Sequence, residues 1–245
     1  MKILVIGELC EDIFIYGDCK RLSPEAPVPV LNPIEIIKND GMAGNVVNNL
    51  RTLDKNCVVE HWHQTKSITK TRFVDKKSNH MFLRLDEGED NVLPISTIYG
   101  SLEEISKYDI VVVSDYNKGF VTEEWLKMIG KVAKLSILDS KKKLTKEIID
   151  SFTFVKLNEK EANNNEEFKD SKNIIVTLGS RGASHDGSIY PSPAPKETID
   201  VSGAGDTFTS AFILEYFKTK NVGASIIYAN KMSSIVVSKR GVAVP

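Results

Sequence analysis

Beyond residue 100 the chain alternates short apolar runs with segments of helical periodicity. Runs of this length between turn residues are typical of buried strands, and they stay apolar throughout when both faces of the strand are covered. Strands that alternate with helices imply right-handed crossovers and a parallel sheet between two helical layers. The four runs are residues 110–113, 136–138, 152–157 and 174–178.

A small or polar residue follows each of these four runs. Because parallel strands end at the same edge of a sheet, such residues collect where ligands of open α/β sheets bind. The sequence therefore predicts an active site at that edge. The residues are Asp115, Asp139, Asn158 and Gly179.

The N-terminal part has a different pattern. Residues 2–6 form an apolar run typical of a buried strand. Four prolines between residues 24 and 33 exclude a helix there and restrict any strand to a sheet edge. Within residues 71–86, apolar and polar residues alternate on both sides of Lys76–Asn79, and this pattern predicts a hairpin.

Composition excludes several classes of protein. The chain has 245 residues, with 32 basic against 33 acidic side chains, so bulk electrostatic attraction to nucleic acid or anionic membranes is not expected. The apolar runs are too short to span a bilayer. Three cysteines without metal-type spacing indicate reduced thiols. We expect a cytoplasmic protein without nucleic-acid or membrane partners.

Residues 200–208 form the segment richest in chemistry, Asp-Val-Ser-Gly-Ala-Gly-Asp-Thr-Phe. Its glycines let the backbone approach a ligand closely, and free amides at a helix start point at an anion. A carboxylate beside those amides can accept a hydroxyl proton as a phosphoryl group arrives. A tight glycine turn with Asp206 in the first helical turn is the alternative. The chain has neither a Walker A sequence nor the third glycine of a dinucleotide fingerprint.

This segment resembles a signature of the ribokinase-like (PfkB) sugar kinases, with Val201-Ser202 in place of two threonines. Gly41-Met42-Ala43-Gly44-Asn45 is similar to the first signature of that family, and Asn158-Glu159-Lys160-Glu161 to its Asn-x-x-Glu motif. The motifs occur in the order that the family has. The resemblance implies a three-layer α/β domain with a mostly parallel sheet and a small β lid.

Further strings are similar to the heptose-7-phosphate kinases within this family. That subgroup makes heptose precursors of bacterial lipopolysaccharide or surface glycans. In its bifunctional members a nucleotidyltransferase domain follows, and because this chain ends at Pro245 we expect that activity to be absent or supplied by another protein. The strings are residues 7–12, 16–17, 21–30, 69–72, 83–86, 114–119 and 239–243.

The resemblance implies a role for each motif residue. Asp206 would be the catalytic base, and Gly203, Ala204 and Gly205 would offer amides to the developing charge. Glu161 would hold Mg²⁺ through water, although Asn158 and Glu161 also fit a helix capping box. Asp200 would bind a monovalent cation such as K⁺, or is simply a turn residue. ATP would contact Asn158, Thr177, Gly179, Gly182 and Ser202.

The sugar would be bound by a second group of residues. Asp12 is either a hydroxyl ligand or an ordinary acidic loop residue. Cations are expected where the far phosphate of a sugar phosphate lies. The hydroxyl ligands would be Asp12, Gly41 and Asn45, with Asp115 as a further substrate-binding residue, and the cations would be Arg72, Arg84 and Lys118.

The predicted function is ATP-dependent phosphorylation of a heptose 7-phosphate at its anomeric hydroxyl. Two alternatives remain: a kinase of another sugar or sugar phosphate, and a non-catalytic binding protein of the same fold. The chain departs from the family at Glu8, where Asp is usual, at Ser140, and in the shortened segments 53–69 and 161–174. The lid would comprise residues 13–38 and 67–90. Its apolar Phe14, Ile15, Phe82 and Leu83 predict a homodimer through the lid.

Overall fold

A computed structural model describes residues 1–90, 92–99, 101–168, 171–193, 201–239 and 243–245. The strands are β1 Lys2–Ile6, β2 Leu9–Asp18, β3 Asn32–Met42, β4 Val58–Trp62, β5 Thr69–Asp75, β6 Met81–Glu87, β7 Ile110–Asp115, β8 Ser136–Ser140, β9 Phe154–Asn158, β10 Ile174–Thr177, β11 Ala183–His185 and β12 Ser188–Tyr190. The α-helices are α1 Ala43–Leu53, α2 Glu123–Val132, α3 Lys146–Ser151, α4 Glu159–Asn164, α5 Ala204–Thr219 and α6 Val222–Val236.

The main sheet has eight strands in the order β12-β11-β10-β9-β8-β7-β1-β4. From β10 to β4 every pair is parallel, whereas β11 and β12 add an antiparallel hairpin at one edge. The mostly parallel sheet predicted from the apolar runs is therefore confirmed. Strands β9 and β10 are shorter than predicted. Phe152 is the C-cap of α3, and Leu178 lies in the turn after β10.

Two apolar cores cover the faces of this sheet. In β1, Leu4 and Ile6 pack with α2, α3 and α4, whereas Ile3 and Val5 pack with α1, α5 and α6. Each strand thus buries side chains on both faces, which is why the strand segments carry no polar alternation. Among the described residues, no helix combines the length and apolarity needed to cross a membrane.

A second sheet of four strands, in the order β3-β2-β5-β6, forms the lid. Its strands confirm the hairpin around Lys76–Asn79 and place the proline-containing β3 at an edge, as predicted. The first lid piece is longer than the predicted 13–38, because β2 begins at Leu9 and β3 runs on to Met42.

The two faces of the lid differ in chemistry. One face carries a row of charged or polar partners across all four strands, in which Asp12 pairs with Asn39 and Lys70, and Lys70 with Asp86. The opposite face carries an apolar row. Its members, from β3 to β6, are Ile36, Ile15, Phe73 and Leu83.

Phe14 is not part of the apolar face. It points to the charged side, where it is buried with Tyr16 and Val74 beneath the Arg72 guanidinium, 4.8 Å from the ring centre. The prediction that Phe14 offers an exposed apolar surface was therefore wrong, because strand alternation places Phe14 and Ile15 on opposite faces.

Candidate active site

A cleft of about 680 Å³ opens at the carboxyl edge of the main sheet. This volume lies within the range of small-molecule sites. The cleft runs from the ends of β8, β9 and β10 to the start of α5 and one side of α6. Among the residues that line it are Asn158, Thr177, Gly179, Gly182, Gly203, Ala204, Gly205 and Asp206, all singled out from the sequence.

The glycine turn before α5 places Asp206 in this cleft. Gly203 is the N-cap of α5 with a left-handed φ of 78°, a conformation that glycine adopts without steric cost. Asp206 follows in the first helical turn, where backbone N–H groups have no partner within the helix. The Ala204 amide donates to the Val201 carbonyl at 3.3 Å, so the amides of Gly205 and Asp206 are the better candidates for an anion. Ser202 lies in the same turn, half-buried.

Two donors from different parts of the chain hold the Asp206 carboxylate. Asn45 Nδ2 donates to Oδ2 at 2.8 Å, and the Tyr116 hydroxyl donates to Oδ1 at 3.1 Å. Burial raises the pKa of Asp206 to about 6, in spite of these hydrogen bonds and the nearby Lys156 ammonium. Burial also raises the pKa of Tyr116, so its hydroxyl stays protonated and remains a donor. A base with a pKa near 6 is ionised at neutral pH and accepts a proton readily.

A buried ion pair lies beneath the glycine turn. Lys156 Nζ donates to Asp139 Oδ2 at 2.8 Å, and a Cβ atom added to Gly205 would lie 3.2 Å from that Nζ. Burial alone would lower the pKa of Lys156, but Asp139, Glu161 and Asp206 outweigh it and leave the pKa raised. The ammonium is therefore charged and sits next to the amides that face the cleft.

Glu8 fixes the loop that carries Tyr116. Its fully buried carboxylate accepts hydrogen bonds from the amides of Tyr116 and Lys118, both at 2.9 Å, and from Phe120 at 3.4 Å. Burial, with Asp115 nearby, raises the pKa of Glu8. The glutamate that departs from the family pattern thus has a structural task, which is to position the loop after β7.

Asn158 and Glu161 form the capping box that the sequence left as an alternative. Asn158 Oδ1 accepts from the Glu161 amide at 2.9 Å, and Glu161 Oε2 accepts from the Asn158 amide at 2.8 Å. The other oxygen of Glu161 accepts from Lys141 Nζ at 2.7 Å. Both carboxylate oxygens therefore have partners within the protein.

These residues fit a hydrated Mg²⁺ better than a directly bound one. Within the described ranges, no group of three or more His, Cys, Asp or Glu side chains could hold a metal ion. Glu161 is a buried carboxylate whose partner Lys141 lines the cleft, so contact with a metal ion through water suits it better than direct binding. Asp200, the candidate for a monovalent cation, lies outside the described residues.

Asp12 and Gly41 lie side by side in the lid. A Cβ atom on Gly41 would stand 2.0 Å from Asp12 Oδ2, so only glycine leaves room for this carboxylate. The other oxygen, Oδ1, is paired with Arg72. Asp12 is buried and ion-paired, in contrast to the ordinary acidic loop residue that was the alternative.

The cations predicted for a distal phosphate are already paired with carboxylates. Arg84 donates to Asp86 on the same strand at 2.7 and 2.8 Å, and Lys118 pairs with Glu89. Arg72, Arg84 and Lys70 belong to the charged face of the lid, whereas Lys118 extends from the loop after β7. Their contact with a substrate stays a prediction.

Asn45 and Asp115 have partners within the protein. Asn45 Oδ1 accepts from Asn49 at 3.1 Å, which orients its amide nitrogen toward Asp206. Asp115 is buried and accepts from Ser140 Oγ at 2.6 Å and from Lys142 Nζ at 2.7 Å. Direct contact of either side chain with a sugar stays a prediction.

Sequence reasoning missed three residues of the site. Tyr116 had been noticed only as part of a matching string. Lys156 lies near the end of a predicted strand, and an ordinary buried strand gives no reason to expect a lysine there. Only the sheet register puts Lys156 opposite Asp139, which the sequence had placed at this edge of the sheet. Lys70, paired with Glu89 at 2.7 Å, is the third.

Comparison with known proteins places the chain in a family. Residues 47–245 match the model of the pfkB family of carbohydrate kinases. The chain belongs to the pfkB family of carbohydrate kinases. This result confirms the resemblance drawn from the motifs and identifies the protein as a sugar kinase.

Curated relatives share the name bifunctional protein HldE. The protein from Nitratiruptor sp. is 31% identical over 293 aligned positions, which cover 99% of this chain and 62% of the relative. The Helicobacter pylori J99 protein is 30% identical, with 98% of this chain and 63% of the relative covered. This pfkB-family chain thus spans about three fifths of the length of these relatives. The alignments are longer than the chain, so the relatives contain segments that it lacks.

Solved structures confirm the ribokinase-like fold. Ribokinase from Thermotoga maritima superposes with a TM-score of 0.74 at 18% identity, with 98% of this chain and 94% of that chain covered. Phosphofructokinase-2 from Escherichia coli, in complex with potassium, superposes with a TM-score of 0.70 at 15% identity, with 99% of this chain and 94% of that chain covered. Arabidopsis thaliana ribokinase, complexed with ribose and ATP, superposes with a TM-score of 0.69 at 14% identity, with 98% of this chain and 93% of that chain covered.

The contacts of Asp206 predict the pH dependence of this kinase. A base accepts a proton only when it is ionised, so with Asp206 in the role proposed below, catalytic efficiency should rise as pH increases through about 6. Tyr116→Phe removes a donor that stabilises the carboxylate, while Asp139 and Lys156 remain in place around it. We expect the acid limb of the pH–rate profile to move up by roughly half to one pH unit.

The matched control is Tyr108→Phe, because the Tyr108 hydroxyl donates to Glu60 rather than to Asp206. Its profile should match that of the wild type. An unchanged acid limb in Tyr116→Phe would mean that the phenol does not tune the base.

Proposed function

We propose that this protein transfers the γ-phosphate of ATP to the anomeric hydroxyl of D-glycero-D-manno-heptose 7-phosphate, giving the 1,7-bisphosphate. The observation that carries the proposal is the position of Asp206. Its carboxylate lies in a cleft lined by the glycine turn and is joined through Asn45 to α1, which follows directly on the lid strand that bears Gly41. A base at this junction suits transfer from a nucleotide on one side to a sugar on the other.

Each residue around the cleft has a defined role in the proposed mechanism. Asp206 accepts the proton of the anomeric hydroxyl. The hydroxyl oxygen attacks the γ-phosphorus of ATP, and the bond between that phosphorus and ADP breaks. The amides of Gly205 and Asp206 and the Lys156 ammonium stabilise the charge on the transferring group, because preorganised donors act strongly in a buried site. Asn45 and Tyr116 keep the carboxylate oriented.

The cleft supplies surfaces for ATP. Thr177, Gly179 and Gly182 line its far part, beside α6. Two solved structures of similar fold contain nucleotides: the Arabidopsis thaliana ribokinase is complexed with ribose and ATP, and the Cryptococcus neoformans ribokinase is in complex with ADP. Mg²⁺, when bound with ATP, would neutralise phosphate charge, and Glu161 would hold its waters. A monovalent cation at Asp200 is proposed on the family resemblance.

The charged face of the lid favours a phosphorylated sugar as the substrate. It brings Arg72, Arg84 and Lys70 to the same side as Asp12, the proposed ligand of a sugar hydroxyl. Lys118 approaches the same group from the body of the protein. A free sugar needs no such cations, whereas a distal phosphate brings close to two negative charges.

A turnover assay with ATP and a panel of sugars tests this assignment. We expect heptose 7-phosphate to be used far better than free heptose, fructose or ribose. Lys118→Ala should reduce that preference roughly ten- to a hundredfold, because a charge-assisted hydrogen bond is lost, and should affect ATP binding less. The control is Lys127→Ala, whose ammonium pairs with Glu147 on the helical surface. Equal use of free ribose or fructose by the wild type would refute the heptose assignment and favour a kinase of another sugar.

We propose further that two copies pair through the lid. The apolar row leaves Ile36 58% and Leu83 60% exposed, next to the half-buried Ile15 and Phe73. An exposed apolar row across a whole sheet is unusual for a monomer. Sedimentation should therefore give a dimer at micromolar concentration.

Variants identify the surface that pairs. Leu83→Asp should yield monomers, because an ionised carboxylate cannot be buried in an apolar interface. The control is Ile189→Asp, since Ile189 is as exposed but lies on the distant edge strand β12. A monomeric wild type, or a Leu83→Asp variant that stays dimeric, would contradict pairing through the lid.

A further inference from the structure

A single carboxylate joins two lysines at the edge of the charged lid face. Glu89 Oε1 accepts from Lys70 Nζ at 2.7 Å, and its other oxygen, Oε2, accepts from Lys118 Nζ. Lys70 belongs to the lid strand β5, whereas Lys118 belongs to the loop after β7. The Glu89 carboxylate thus fills the space in which two cations from separate parts of the protein converge.

The surroundings of this carboxylate favour anions. Among the described residues, four cations, Lys70, Arg72, Arg84 and Lys118, pair there with three carboxylates, Asp12, Asp86 and Glu89. Burial alone would raise the pKa of Glu89, but the hydrogen bonds from Lys118 and Lys70 outweigh it and leave the pKa lowered. Glu89 is therefore ionised and behaves as an internal anion bound to two lysines.

This internal anion is partly exposed to solvent. The side chains of Glu89 and Lys118 are 23% and 28% exposed, so solvent weakens their attraction. A phosphate dianion carries more charge and more acceptor oxygens than a carboxylate, and it can bond both lysines at once. A neutral sugar hydroxyl has no comparable attraction for them.

We propose that Glu89 occupies the place of the substrate's distal phosphate and is displaced when that phosphate binds between Lys70 and Lys118. This inference rests on the function proposed above, and it adds Lys70 to the phosphate site and Glu89 as the competitor within it. Glu89 acts as a specificity residue, because only an anion can replace it. A sugar without a phosphate leaves the two lysines paired with Glu89.

Calorimetric titration of the whole protein with inorganic phosphate tests this exchange without any turnover. Glu89→Gln should bind inorganic phosphate about tenfold more tightly than the wild type, because the internal competitor has lost its charge. Lys70→Met should bind it about tenfold more weakly, because one of the two cations is gone. Glu87→Gln is the matched control, since it removes the same charge two residues away but on the opposite face of the lid. It should stay within about twofold of the wild type.

Each outcome decides between separate claims. Unchanged or weaker phosphate binding by Glu89→Gln, or an equal gain in Glu87→Gln, would overturn the displacement of Glu89. Weaker binding of both heptose 7-phosphate and free heptose would also overturn it, because Glu89 would then be a ligand of sugar hydroxyls. If Glu89→Gln gains phosphate affinity while no sugar is phosphorylated, the proposed function fails and the anion site stands. If heptose 7-phosphate is turned over but Glu89→Gln gains nothing, the function stands and this inference fails.

Discussion

Asp206→Asn should lower the turnover number by between about a hundredfold and ten-thousandfold, the range that general base catalysis contributes. An amide cannot accept the proton of the attacking hydroxyl, so the loss falls on the chemical step. ATP binding should change little, because the amides of the glycine turn and the far part of the cleft are untouched. Turnover and nucleotide affinity are measured separately, by a coupled assay and by calorimetry. Near-wild-type turnover would remove Asp206 from the mechanism.

The folded structure should tolerate this change. Asn45 can donate to the new amide oxygen, and the amide nitrogen can donate to the Tyr116 hydroxyl oxygen. Burial raises the pKa of Asp206 from 3.8 to about 6. Ionisation of Asp206 is therefore less favourable in the folded protein than in the unfolded chain. The free energy of unfolding consequently decreases as pH rises from about 4 to about 6. At pH 7 the melting temperature of Asp206→Asn should therefore not fall below that of the wild type. A lower melting temperature would show that the loss of activity reflects damage to the fold.

Lys156→Met should lower the turnover number by roughly a hundred- to a thousandfold, comparable with the loss of one donor from an oxyanion hole. The ammonium lies beside Gly205, whose amide we propose to face the transferring phosphoryl group. The variant should also be less stable, because Asp139 is then left buried without its partner. Removal of one member of a buried pair typically costs about 3–5 kcal/mol.

A double variant separates the two effects. Asp139→Asn combined with Lys156→Met removes both charges, so most of the lost stability should return while activity stays low. Thermal unfolding and turnover are compared across the wild type, the single variant and the double variant. Recovery of activity along with stability would mean that Lys156 acts only on the fold.

Patterns that are local in the sequence predicted the fold well. Apolar runs such as residues 110–113 become strands buried on both faces. The glycine turn and Asp206 were likewise found from a continuous motif. Each of these features depends on neighbours a few residues away, which is why one sequence suffices.

Features that depend on distant pairing could not be predicted in this way. Tyr116 lies 90 positions from Asp206 along the chain, and Asn45 lies 161 away, so nothing local indicates that both donate to one carboxylate. The pairing of Lys156 with Asp139 follows from the register of two parallel strands. Such contacts are set by tertiary structure, which the residue pattern does not contain.

Phosphorus NMR of the reaction products tests the central claim most directly. Wild-type protein is incubated with ATP, Mg²⁺ and D-glycero-D-manno-heptose 7-phosphate, and the phosphorus signals are correlated with the sugar protons. We predict ADP and one new phosphate signal coupled to the anomeric proton, while the 7-phosphate signal persists, and we predict neither product with Asp206→Asn. A new phosphate on any other carbon, or ADP accompanied only by inorganic phosphate, would contradict anomeric phosphorylation by this protein.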